Sequence, residues 1–151
     1  MVQAERTQVC DPRPLVFLDS NVVIDYLNGN IDWLFDPAAL ARVRYAINPV
    51  VFQETVLAAN VTEHPERLDT VRARAEMLPV QFDRAQGLLP RARELRSRGL
   101  HSNDVLMFSS AADCDYLVTR DAMIGKLADD GKPLVLSPKE FRDRMLAPAL
   151  T

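Results

Sequence analysis

Short apolar runs alternate with amphipathic stretches through most of the chain. The segment "PLVFL" (14–18) is apolar without interruption, as a strand buried on both faces requires. "SNVVIDYLNGN" follows at helical spacing, opened by Ser20 or Asn21 and closed at Asn28-Gly29. A short helix is expected over 37–43 after Pro37, and a strand over 45–48. Asn48-Pro49 opens a helix to about Ala59, with asparagine as cap and proline in the first turn. His64-Pro65 opens another, to about Met77. "LPVQF" (78–82) reads as a strand, 83–98 as a helix kinked at Pro90 and stopped by Gly99, and 102–113 as a helix. Strands at 116–119 and 133–136 alternate with helices at 121–129 and 138–146. The first 13 residues are polar and closed by Pro12 and Pro14. They are expected to be a flexible arm, with residues 14–151 as a single domain.

Strands that alternate with helices predict an α/β fold, a parallel sheet with helices on both faces. In such folds ligands bind beyond the carboxyl ends of the strands. That rule gives weight to Asp19, which ends the first strand, and to Asp121, which follows "YLVT" after Arg120. Each also makes a good cap for the helix after it. Glu54 is harder to place on a surface. Val50, Val51, Leu57 and Ala58 lie three or four residues from it, so it sits in an apolar stripe and needs an arginine or a metal ion as partner. Asp104 heads the face formed by Met107, Phe108 and Ala111. The helix dipole explains an acid at that position, but not its inward direction. Four carboxylates that converge on one cleft repel one another unless cations bind, and oxygen ligands suit Mg²⁺ or Mn²⁺.

Composition narrows the alternatives. A chain of 151 residues suits one domain, and a formal net charge of -3 demands no polyanionic partner. Fifteen of its 18 basic residues are nonetheless arginine, the side chain best shaped to grip phosphate. Arg84, Arg91 and Arg98 stand at heptad spacing. They read either as a solvated helix face or as a strip that holds RNA. Two histidines, His64 and His101, are too few for a histidine-built zinc site. Cys10 and Cys114 form no CxxC pair, and a reduced cytoplasmic setting is expected. No apolar run approaches the roughly 20 residues that span a bilayer.

Taken together, "FLDSNVVIDYL", "INPVVFQETV", "RGLHSNDVLMFSSA" and "DYLVTRDAMI" resemble the PIN-domain nucleases, and among them the VapC-type toxins of toxin–antitoxin pairs. The resemblance spans about residues 14–146. It implies a three-layer α/β/α fold with a five-stranded sheet of order 3-2-1-4-5. It also implies an endoribonuclease dependent on Mg²⁺ or Mn²⁺, with Asp19, Glu54, Asp104 and Asp121 as the acidic, metal-binding quartet. Ser20, Asn21 and Thr119 would orient the acids, the metal or water. The resemblance further implies a homodimer silenced by a small antitoxin. The apolar residues of 22–35 (Tyr26, Leu27, Ile31, Trp33, Leu34, Phe35) exceed the needs of one short helix and are expected to supply part of an exposed contact patch. Two rivals are an inactive PIN-like fold that only binds RNA or protein, and a phosphoacceptor receiver domain. This chain lacks the second acid beside Asp19 that a receiver would need, and it offers Asp83 only after its strand.

Overall fold

The computed structural model of the chain describes residues 10–128 and 131–146. Five strands form one parallel sheet: β1 (Leu15–Leu18), β2 (Arg44–Ile47), β3 (Ala75–Met77), β4 (Tyr116–Val118) and β5 (Leu134–Leu136), in the order β3-β2-β1-β4-β5. The helices are α1 (Ser20–Leu27), α2 (Pro37–Leu40), α3 (Pro49–Ala58), α4 (Pro65–Arg74), α5 (Phe82–Arg96), α6 (Ser102–Ala111) and α7 (Pro138–Phe141). The architecture is the expected three-layer α/β/α.

The most apolar strand occupies the centre. Val16, Phe17 and Leu18 are fully buried, and β1 pairs Val16 with Tyr45 of β2 on one side and with Tyr116 of β4 on the other. Met107, Phe108 and Ala111 of α6 join the same core. Since β1 and β4 lie side by side and run parallel, their carboxyl ends emerge together. Residues 19 and 119–121 are thereby neighbours although about 100 positions separate them.

Most predicted elements stand, with four differences. The third strand is Ala75–Met77, not 78–82, and α4 ends at Arg74. Pro79 has no N–H to offer a ladder, whereas Ala75–Met77 pairs with Tyr45–Ile47 as an edge strand and needs no apolar run because two of its three residues are exposed. The apolar segment 78–82 instead crosses over α6, where Gln81 N donates to the Ser109 hydroxyl at 3.0 Å. The helix expected over 121–129 contracts to a single 3-10 turn, Ile124–Leu127. The last helix is regular only over Pro138–Phe141 and continues as a wider π-type turn to Leu146. The arm expected over 1–13 falls mainly on residues 1–9, outside those described, while its last residues are anchored. Arg13 pairs with Asp11 at 2.6 Å and donates to the Leu40 carbonyl, and Arg44 Nε donates to the Arg13 carbonyl at 3.3 Å.

Candidate active site

Asp19 stands one residue beyond β1, and the sheet still holds its backbone: its N–H donates to the Val118 carbonyl at 3.0 Å. Its extended conformation starts α1, and Val22 N and Val23 N donate to its carbonyl. The side chain is 5% exposed and fully engaged. Oδ1 accepts from Ser20 N at 2.7 Å, and Oδ2 accepts from the Thr119 hydroxyl at 2.7 Å and from Asn21 Nδ2 at 3.1 Å. Asp19 therefore caps the helix and is also aimed by three donors at the sheet edge.

Thr119 links this acid to Asp121. Its buried hydroxyl donates to Asp19 and accepts from Asp121 N at 3.0 Å. Asp121 Oδ1 accepts from Met123 N at 2.9 Å, so this half-buried acid caps the turn that leads into Ile124–Leu127. Asn21 Oδ1 accepts from Arg120 N at 3.3 Å and clips the same loop to α1. Ser20 reaches the other way. Its hydroxyl donates to Glu54 Oε2 at 2.9 Å, tying α1 to α3. Asp104 Oδ2 accepts from His101 N at 2.8 Å, closing the first turn of α6.

The expected environment of Glu54 needs correction. Leu57 is 78% exposed and Ala58 is exposed; the buried residues of α3 are Val51 and Thr55. Glu54 thus borders solvent, and its partner is the Ser20 hydroxyl rather than an arginine.

The four acids share one electrostatic environment. Asp19 has its pKa raised by burial first, against the lowering hydrogen bonds of Thr119 and Ser20, and further by the charges of Asp104 and Glu54. Asp104 is likewise raised by burial, against His101, and then by Asp121 and Glu54. None of the four makes an ion pair among the described residues, although eight other pairs form there. Arg120 is the nearest cation in sequence, and it pairs with Asp25 at 3.3 Å. Among the described residues no three carboxylate, histidine or cysteine side chains stand close enough to hold one ion together. In kind, however, the donor set fits a hard divalent cation. It is all oxygen, and Glu54 Oε1, Asp104 Oδ1 and Asp121 Oδ2 accept no hydrogen bond there.

Residues 16–130 match the family model of the PIN domain. The chain belongs to the PIN domain family, a family of nucleases. Its fold is also that of a chain in the VapBC2 complex from Rickettsia felis, solved bound to a DNA fragment from their promoter. The two superpose with a TM-score of 0.57 over 82% of this chain and 98% of that one, at 18% identity, a likeness of fold alone. Among curated proteins none matches closely enough to carry an argument.

In this PIN domain the expected arginine row is not a row. Arg98 lies beyond the end of α5, in the turn that Gly99 closes at a φ of 107°, so it leaves the heptad face. Arg84 pairs with Asp113 at 2.7 Å and donates to the Ser109 carbonyl, while Arg91 pairs with Glu94 and donates to the Lys126 carbonyl. The apolar set of 22–35 is not an exposed patch either. Tyr26, Leu27, Leu34 and Phe35 are buried, and Trp33 packs on Phe141 with ring centroids 6.2 Å apart. The large exposed apolar side chains lie elsewhere, among them Leu57 on α3, Met77 on β3, and Phe82 (72% exposed) and Leu89 on α5. Asn48 is the residue whose reach the sequence hid. Its role as a cap was legible, but its grip on α6 depends on packing.

Proposed function

We propose that the chain is a divalent-metal-dependent endoribonuclease and the toxin of a toxin–antitoxin pair. One observation carries the reading: in a PIN domain, four carboxylates feel one another's charge, and among the described residues no cationic side chain is paired to any of them. Asp19, Glu54, Asp104 and Asp121 would hold the ion. When bound there, Mg²⁺ or Mn²⁺ neutralises charge on the phosphate and lowers the pKa of the attacking water.

The protein's own part is orientation and restraint. Thr119, Asn21 and the Ser20 N–H fix Asp19 so that it cannot turn away from the cleft. The Ser20 hydroxyl keeps one oxygen of Glu54 occupied and leaves the other for a ligand. Asp104 and Asp121 each give one oxygen to the backbone of their own turn and keep one toward the site. Either would position the attacking water or accept its proton. Burial makes this crowding costly when no cation is present, which favours occupancy.

Likeness of fold to a chain of the VapBC2 complex supports an antitoxin partner for this chain by analogy. The homodimer and antitoxin contacts move from residues 22–35 to the exposed apolar side chains of α3 and α5. Phe82 and Leu89 border a groove of about 390 Å³ between α5 and α6 that Arg93 and Arg96 also line. Phosphate contacts from Arg84, Arg91 and Arg98 belong to the same proposal. Only Arg98 has no ion pair among the described residues, so it is the one to test. No described helix is long and apolar enough to cross a membrane, and a cytoplasmic setting goes with the proposal. The test is cleavage of RNA by the purified chain with Mn²⁺ or Mg²⁺. Cleavage that is lost in Asp104→Asn supports the reading, and RNA that stays intact with either metal counts against it.

A further inference from the structure

The acid-bearing helices α3 and α6 come from distant parts of the chain, yet one fully buried side chain joins them. Asn48 is 0% exposed. Its Oδ1 accepts from Val51 N at 3.1 Å, which caps α3. Its Nδ2 points the other way, to the Leu106 carbonyl at 3.2 Å, the Met107 carbonyl at 3.3 Å and the Ser110 hydroxyl at 3.0 Å. An amide has two N–H groups for these three acceptors, so one is shared. The Ser110 hydroxyl passes the link on, donating to the Pro79 carbonyl at 2.7 Å.

The position of this tie gives it a consequence. Glu54 sits six residues above Asn48, about 9 Å along the axis of α3 at about 1.5 Å per residue. Leu106 and Met107 lie two and three residues after Asp104, within one turn of it. The contact therefore fixes the root of the helix that carries Glu54 to the turn of α6 that carries Asp104. Capping needs only the oxygen of Asn48. The amide hydrogens do a second task that an aspartate cap would fail.

We propose that Asn48, with Ser110 beneath it, is a positioning residue that sets the separation of Glu54 and Asp104 across the cleft. The proposal rests on the reading of that cleft as a metal site.

The test is Mn²⁺ binding to the full chain, followed by loss of the free-ion signal in electron paramagnetic resonance, beside thermal melting of each variant. Asn48→Asp keeps the cap oxygen and replaces the donor with an acceptor. Ser110→Ala keeps the whole of Asn48 and removes one partner. Both variants, assayed well below their melting points, are expected to bind Mn²⁺ at least about tenfold more weakly, as loss of an orienting partner does at metal sites. Gln53→Ala, an exposed polar change on α3, should bind as the wild type does. A purely structural role predicts lower melting with unchanged affinity, and that result overturns the proposal. Should Asn48→Asp fail to fold, wild-type affinity in Ser110→Ala alone overturns it. Wild-type chain that binds no Mn²⁺ overturns the metal-site reading instead, and this proposal with it.

Discussion

At the scale of single residues, capping a helix does not exclude a place in the proposed metal site. Asp19, Asp104 and Asp121 each satisfy a backbone N–H at the start of a helix or turn, and Asp104 and Asp121 each keep one oxygen without a hydrogen bond among the described residues. Asp104→Asn retains an oxygen for His101 N and removes one charge from the crowd. It should lower RNA cleavage by at least about 10²-fold, the scale of losing one well-placed electrostatic contact to a transition state. The same change should raise the melting temperature of the metal-free chain at pH 7. The pH dependence follows from the shifted groups. A carboxyl whose pKa in the fold is raised above its unfolded value, about 3.9, binds protons on folding. Its contribution is greatest below the unfolded pKa and is lost as pH rises through the raised value. Asp19 and Asp104 should therefore make the metal-free chain less stable at pH 7 than just below the ordinary carboxyl value, with a flatter profile in Asp104→Asn. Asp11 acts in the opposite sense, but lower. Its pairing with Arg13 brings its pKa to about 2, so its contribution is lost only as pH falls below the ordinary carboxyl range. Ser20→Ala is expected to cut cleavage about 10- to 100-fold while melting little changed, because the lost contact orients Glu54. Assays of activity and melting on the same preparations check both variants. Asp19, Asp104 and Asp121 were legible in the sequence because strand ends and helix starts are written in local pattern. Glu54 was found for an incomplete reason: the apolar stripe around it is half exposed, and the Ser20 hydroxyl that holds it lies 34 residues away.

At the scale of elements, the sequence was clearest where burial is greatest. β1 and β4 and the helices α3 and α6 appear where apolar run or cap placed them, since a strand or helix packed on several sides must show it in composition. The edge formed by β3 was not legible. β3 has little apolar content because an edge strand with two exposed residues does not require it, and the more apolar 78–82 drew the prediction away. α5 continues through Pro90, but Arg98 falls past its end, so spacing in sequence did not become a row in space. This difference carries its own prediction. Arg84→Ala should cost stability, under about 1 kcal/mol for a partly exposed pair with Asp113, and change RNA affinity little. Arg98→Ala should leave melting unchanged and, if Arg98 meets a phosphate, reduce the slope of log affinity against log salt by about one. Filter binding across a salt series, with a cleavage-inactive background, separates the two.

At the scale of the whole molecule, parallel strand order brings Asp19 and Asp121 to one edge of the sheet, and among the described residues no cationic side chain pairs with them, with Glu54 or with Asp104. Four elements deliver Asp19, Glu54, Asp104 and Asp121 to one edge of the sheet, and a bound divalent ion should stabilise the fold that assembles them. At a hundred times its dissociation constant, a ligand adds about 2.7 kcal/mol, a rise of several degrees in melting temperature for a chain of this size. Stripping the metal should reverse that rise. The measurement that bears most directly on the account is a single cleavage time course on one preparation: RNA with the purified chain in EDTA, then after Mn²⁺ or Mg²⁺ is restored, with Asp104→Asn run alongside. The account predicts intact RNA in EDTA, cleavage once metal returns, and no comparable cleavage by the variant. Cleavage that proceeds in EDTA, or that Asp104→Asn retains in full, would contradict it.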